Sequence, residues 1–401
     1  MNPTTRKAQL LAVVAAALGY FVDLYDIVIF GVVRVASLRE LGVVGQANTD
    51  WGLALLNLQM AGMLIGGFFW GWVGDRYGRR RALIATIALY SLANIANAFV
   101  TSVEQYALLR LLAGIGLAGE LGAGITLIAE LLPKRARGYG TTVISFLGLV
   151  GALVASYVGQ WLDWRTAYLI GGGLGLGVLA LRLRVLTESA LFQPGRADAG
   201  SLRRLLGDAV LRRRFVAVIL VGVPIWYVSA LFVNLAPEYG KALGFAAPLS
   251  VAEVLRWQAL GLALGSAGAG LLSEWLASRK RVIAAALLLL PLLNLALLRS
   301  DSSGHYLALM FAIGLAQGYW TVFVTLAAEQ FGTGLRATVA TAVPNLVRAS
   351  VLPVSLGVKL LWPLLGLLGA TLALGALVYL LAGLCLRGLP ETHGRELDYR
   401  D

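Results

Sequence analysis

GWVGDRYGRRR, from Gly71 to Arg81, and GLLSEWLASRKR, from Gly270 to Arg281, decide how this chain is built. Each is a short charged strip between long apolar runs. Asp75 and Glu274 stand 199 residues apart, and so do Arg80 and Arg279. A second pair of strips repeats the spacing. Glu130 and Arg137 in AELLPKRARG are seven apart, as are Glu329 and Arg336 in AEQFGTGLRA, and the offset between the pairs is again 199. Two unrelated strips sharing one offset mark a duplicated chain, its second half a parallel copy of the first.

The runs around the strips suit a lipid bilayer. Hydrophobic residues make up 59% of the 401 and charged residues 13%, with a mean hydropathy of +0.79. Soluble domains carry roughly 45–50% and about 25%. A helix needs about 20 residues to cross some 30 Å of hydrocarbon. Twelve such runs can be placed, near 9–33, 51–74, 82–100, 105–132, 138–162 and 166–186, then 213–237, 251–277, 282–299, 305–331, 336–360 and 363–386. The expected fold is therefore all-α: twelve transmembrane helices in two pseudo-symmetric six-helix bundles. Residues 1–186 form the first bundle and 213–401 the second, with a short tail. Between them, 187–212 is a polar cytoplasmic linker containing Pro194, Gly195 and Gly200. The 48 glycines suit close helix contact in lipid. Cys385 is the single cysteine, so no disulfide can form within the chain.

With the N-terminus inside, 24 of the 33 basic residues fall in inner segments and six in outer loops. Arg110, Arg256 and Arg348 lie within helices. The positive-inside rule places both termini in the cytoplasm and the chain in the inner (plasma) membrane. It also reads the net charge of +12 as a topology signal rather than a nucleic-acid footprint. Arg6 and Lys7 precede an apolar run that continues past Asp23 and Asp26 to about Val33, too long for a signal peptide. It is expected to remain as helix one.

Several motifs resemble one family. Gly71, Asp75, Arg76, Gly78, Arg79 and Arg80 match the loop motif of the major facilitator superfamily nearly residue for residue. The tail LPETHGREL (Leu389–Leu397) is similar to the ending of sugar porters and organic-ion transporters, and TESALF (Thr187–Phe192) is its weaker counterpart. DLYDIVIFG (Asp23–Gly31) and RLLAGIGLAGELGAGITLIAE (Arg110–Glu130) resemble the metabolite:proton and phosphate:proton symporters. The resemblance runs along essentially the whole chain and implies secondary transport by alternating access. The second loop departs from the pattern, with Glu274 for Asp and Ser278 for Gly, which implies a weaker inner lock in that half. The charged strips carry the expected cytoplasmic gate: Gly71, Asp75, Arg76, Gly78, Arg79, Arg80, Glu130, Arg137, Glu274, Arg279, Glu329 and Arg336. Ion pairs made only when the inner mouth is closed shift the balance between states. Plain positive-inside anchoring is the alternative.

Charges inside a bilayer are expensive and usually face the bundle interior. Asp23 and Asp26 share one face of helix one. Glu120 falls midway along helix four, with Arg110 roughly 15 Å outward of it. Arg110 is expected to pair with one aspartate. A remaining buried carboxylate among Asp23, Asp26 and Glu120 would then exchange a proton. The alternative is a static ion-pair cluster joining helices one and four. Arg348 sits beside Pro344 and Asn345 in helix eleven, with no acidic residue expected at its depth. Its fork suits a carboxylate or phosphate, unless it pairs with Glu120 or an aspartate. Arg256 lies nearer a helix end and can snorkel. Asn57, Gln59, Tyr157 and Gln160 could complete a pocket, with Trp226, Tyr227, Asn234, Gln317, Tyr319 and Trp320 from the other half. Interfacial anchoring is the competing role for the aromatic residues.

Other function classes find little support. His305 and His393 occupy loop or tail positions, and no metal-ligand spacing, nucleophile constellation or phosphate loop is present. No enzyme activity, metal or cofactor is expected. A drug:proton antiporter would carry a Gly-Pro signature in helix five, which FLGLVGALVASYVG lacks. A non-transporting sensor would show a decayed site or a large appendage. The expectation is a monomeric, proton-coupled symporter of a small anionic metabolite, a carboxylate first. A sugar or phosphate symporter is the closest competitor.

Overall fold

The computed structural model describes residues 3–77, 79–120, 137–185 and 202–394. Helix is the only regular structure among them, and the chain divides into two compact units, Met1–Arg196 and Ala197–Asp401. The first contains α1 (Pro3–Glu40), α2 (Gln46–Tyr77), α3 (Arg79–Asn97), α4 (Val103–Leu117), α5 (Arg137–Trp161) and α6 (Trp164–Val185). The second opens with the short α7 (Leu202–Gly207). Next come α8 (Ala209–Val228), running into a π-helical turn Ser229–Val233, and α9 (Ala236–Ala242). It continues with α10 (Val251–Trp275), α11 (Arg279–Leu297), α12 (Ser303–Gln317) and α13 (Tyr319–Glu329). Last are α14 (Thr333–Ala349) and α15 (Val351–Gly388).

Seven segments among the described residues are long and apolar enough to cross a membrane. The expected spans 105–132 and 138–162 run partly outside the described residues, and the rest of the difference has physical causes. Buried Ser91, Asn94 and Asn97 interrupt the apolar character of α3. Two expected spans also merge in the last of the seven, Ala342–Gly388. There α15 bends at Gly366, whose φ of 67° and ψ of 171° only glycine adopts easily.

The duplication extends to the packing. Cβ atoms added to Gly62, Gly66 or Gly114 would collide with backbone of the facing helix in the α2/α4 crossing. The equivalents in α10/α12 are Gly261, Gly265 and Gly314. Without a hydrophobic drive between helices in lipid, such small-residue contacts supply the attraction. Gln59 and Gln258, Gly62 and Gly261, and Gly66 and Gly265 keep the offset of 199, whereas Gly114 and Gly314 are 200 apart. The offset returns to 199 at Gly119 and Gly318. Between Gly114 and Gly119 the first half thus holds one residue more than the second does between Gly314 and Gly318, taken up by a turn at Ala118–Gly119 after α4. In the second half Gly318 separates α12 from α13. The start of each helix is capped alike: the Ser102 hydroxyl accepts from Gln105 N–H, and the Ser302 hydroxyl from His305 N–H.

Gly62→Val or Gly261→Val should therefore destabilise the folded protein by about 1–3 kcal/mol through overpacking. Gly67→Ala and Gly268→Ala, whose new methyls meet nothing within 4 Å, should leave melting in detergent unchanged. Equal melting temperatures for the two classes would contradict this packing.

Candidate functional site

The interior of the first unit is charged. Asp23, Asp26 and Arg110 are each fully buried. Arg110 donates from Nη2 to Asn94 Oδ1 at 2.7 Å, and its guanidinium lies 5.0 Å from the Tyr168 ring centre and 5.7 Å from that of Phe30. Its charge acts on Asp26, but its hydrogen bond goes to the amide of α3. A Cβ on Gly171 of α6 would collide with the Tyr25 ring at 2.7 Å, next to Asp26. Asp26 faces the charge of Arg110 and the amide of Asn94 without a close hydrogen bond to either oxygen among the described residues, and Arg110 Nε and Nη1 donate none. Gln59, on α2, has both amide atoms buried in the same condition. Buried polar groups left unsaturated in this way suit a mobile proton, water or ligand.

Glu120, just past α4, is held differently. Arg182 of α6 donates from Nη1 and Nη2 to its two oxygens at 2.8 and 2.7 Å. The Thr86 hydroxyl lies 3.1 Å from the same carboxylate. Sequence reasoning assigned Arg182 to the inner basic segment and missed this pair. A cation in the last turn of helix six, at a depth within reach of Glu120, was the available signal.

In the second unit Arg348 of α14 is buried, its guanidinium 5.8 Å from the Trp226 ring centre. Asn345, one turn earlier, is buried too. Gln317 donates from Nε2 to Ile225 carbonyl at 2.9 Å and accepts from Gln258 Nε2 at 2.7 Å. Arg348 and Gln317 are thereby brought to adjacent residues of α8, just after its internal Pro224 and just before the π-turn. Irregular helix of this kind recurs at functional sites. Gln258 was not singled out in the sequence, although it stands at the repeat offset from Gln59.

Other expected pocket residues are engaged in packing. Tyr227 donates to Thr371 carbonyl at 2.8 Å, Tyr319 to Val221 carbonyl at 3.1 Å, and Asn234 to Ser229 carbonyl at 2.6 Å. Trp320 packs on Phe323, and exposed Tyr157 packs on Trp161. Asn57 is half-buried and Gln160 exposed.

The charged strips are visible mainly in the second unit. Arg279 donates from Nη1 to Glu274 at 2.6 Å, and its Nε lies 3.7 Å from Glu329. The tail closes over them. Thr392 donates its hydroxyl to Glu329 at 2.6 Å, His393 Nε2 lies 3.2 Å from Glu274, and Lys280 donates to Leu389 carbonyl. Gly78 and Glu130 lie outside the described residues. So does Gly71 beyond its backbone, and so do the side chains of Asp75, Arg76, Arg79, Arg137 and Arg336. Arg80 Nη2 reaches Leu183 carbonyl at 3.5 Å.

Two pseudo-repeated helical units with buried charges and several bilayer-length helices mark a multi-pass membrane protein. The chain belongs to the Major Facilitator Superfamily, whose family model matches residues 16–355. It is 32% identical to the niacin transporter of Acinetobacter baylyi over 45% of this chain and 42% of that one. It is 30% identical to the 3-(3-hydroxy-phenyl)propionate transporter of Escherichia coli K12 over 70% of each. The chain thus spans less than half the length of the first of these relatives. Its fold is shared with the crystal structure of a D-xylose-proton symporter: the TM-score is 0.75, identity 19%, and coverage 96% of this chain and 99% of that one.

The tail has a pH signature. Partial burial would raise the Glu391 carboxyl, but donation from the Ser278 hydroxyl and the His393, Thr392 and Lys280 N–H groups outweighs it and holds the group at about 2. A depressed value stabilises the fold above the ordinary carboxyl range near about 4.3, and this is lost as pH falls toward 2. Wild type should melt above Glu391→Gln at pH 6, and the gap should close on acidification. A gap that widens would contradict the assignment.

Proposed function

We propose that this chain is a secondary transporter carrying a small aromatic carboxylate together with a proton, by alternating access. The observation that carries the reading is Arg348, a buried guanidinium over an indole face in a helix flanked by lipid-length segments. Arg binds a carboxylate through two parallel hydrogen bonds, and Trp226 offers a ring a stacking surface. Niacin and 3-(3-hydroxyphenyl)propionate, named for two relatives, each join a ring to a carboxylate, which supports this substrate class. Asp23 and Asp26 beside Arg110 are the proton carriers. Asn345, Gln317 and Gln258 supply hydrogen bonds to ring substituents.

Twelve crossings, cytoplasmic termini, an inner-membrane location, a 187–212 linker and a monomer complete the proposal. So does the gate, made of Asp75, Arg76, Arg79, Arg80, Glu130 and Arg137 in the first half and of Glu274, Arg279, Glu329 and Arg336 in the second. A sugar substrate would rely on the amides and aromatic rings and would not need Arg348.

Proteoliposomes with an inward proton gradient should accumulate labelled nicotinate or 4-hydroxybenzoate above protein-free vesicles. Nicotinamide and xylose should not enter. Arg348→Ala should lower uptake roughly 100-fold, as expected for truncating one member of a buried charge contact, and Arg348→Lys should retain part of it. Xylose uptake insensitive to Arg348→Ala would favour the sugar reading instead.

A further inference from the structure

Glu120 and Arg182 are 3% and 1% exposed, and both oxygens of the acid are taken by one guanidinium. Arg182 also reaches Ala15 carbonyl on α1 through Nε and Nη2 at 3.4 Å. Thr86 on α3 closes the third side. Gly19 on α1 leaves the space, because a Cβ there would collide with the Arg182 guanidinium and lie 2.8 Å from Glu120 Oε2. Four helices thus meet at one ion pair, directly after the Ala118–Gly119 turn where α4 ends. Among the described residues, the other titratable groups within electrostatic reach are Tyr90 of α3 and, around it, Asp23 and Asp26 of α1.

The second unit solves the same problem without charge. The position 199 residues after Glu120 is Tyr319, whose hydroxyl donates to Val221 carbonyl on α8 at 3.1 Å. There a neutral donor ties the interrupted helix to the first long helix of its unit. A buried ion pair is dispensable when both partners are replaced, but removing one leaves the other uncompensated.

We infer that Arg182 is a positioning residue: it withholds Glu120 from the proton step, and the pair anchors the break after α4 to α1, α3 and α6. The proton step is then left to Asp23 and Asp26. The transport half of this inference rests on the symport reading above, and the anchoring half does not.

The test compares Glu120→Gln, Arg182→Gln, Arg182→Lys and the double variant Glu120→Gln/Arg182→Gln. Readouts are melting in detergent and the pH profile of 4-hydroxybenzoate uptake. Each single Gln variant should melt roughly 5–15 °C lower and lose uptake. Arg182→Lys should fall between, and the double variant should recover melting and the wild-type pH profile. Singles that melt like wild type, or a double that stays unstable, would overturn the anchor. A stable double variant that equilibrates substrate but no longer accumulates it on a proton gradient would make Glu120 the proton carrier and overturn the inference. Absence of proton-driven uptake by wild type would defeat the symport reading alone, and melting would still decide the anchor.

Discussion

A charged side chain inside a helix bundle flanked by lipid has no bulk water to turn to, so its field must end on something within the protein. That constraint organises this molecule. Arg182 ends on Glu120, which fixes four helices at one point. Arg110 ends on an amide, two ring faces and the charge of neighbouring Asp26. Arg348 lies over an indole. The three arrangements differ in what the charge meets, a carboxylate, an amide beside a carboxylate or a ring face, and that difference separates scaffold from working parts. A saturated pair gains little by moving. A carboxylate lacking hydrogen bonds gains from a proton, and a guanidinium on a ring face is suited to an anion.

The scaffold around these charges rests on close backbone contact. Glycines at equivalent places of the two halves let α2 reach α4 and α10 reach α12 more closely than any side chain would allow. Interruptions fall where this packing ends, at Ala118–Gly119 and at Gly318. The halves then diverge chemically at that level, with an ion pair in one and a tyrosine hydroxyl in the other. Among the described residues, the same frame has thus been given a charged interior in one unit and a mainly neutral, amide-lined interior with one buried arginine in the other.

Much of this was legible in the sequence because lipid makes composition informative. Repeat offsets, apolar runs and the distribution of arginines between loops all follow from solvent constraints that act residue by residue. The partner choices were less legible. Arg110 was expected to face an aspartate, and its charge does act on Asp26, but its hydrogen bond goes to Asn94, a neutral residue that no charge count would flag. Arg182 was counted with the cytoplasmic basic residues because it stands at a helix end. Only the depth at which α6 ends, set by three-dimensional packing, places it opposite Glu120. The one-residue slip of the repeat was likewise hidden, since Glu130 and Glu329 keep the nominal offset on the far side of it. Tyr227 and Tyr319 were read as pocket aromatics, and their hydroxyls turn out to satisfy helix carbonyls.

The central claim is that binding of an aromatic carboxylate and binding of a proton are one linked event in this chain. It is tested most directly by calorimetric titration of the purified transporter with 4-hydroxybenzoate, in buffers of different ionisation heat. Linkage predicts that about one proton is taken up per substrate bound near neutral pH, and that this uptake disappears in Asp26→Asn or Asp23→Asn. Binding whose heat is the same in every buffer between about pH 5 and pH 8 would show that substrate enters without a proton, and would contradict the account.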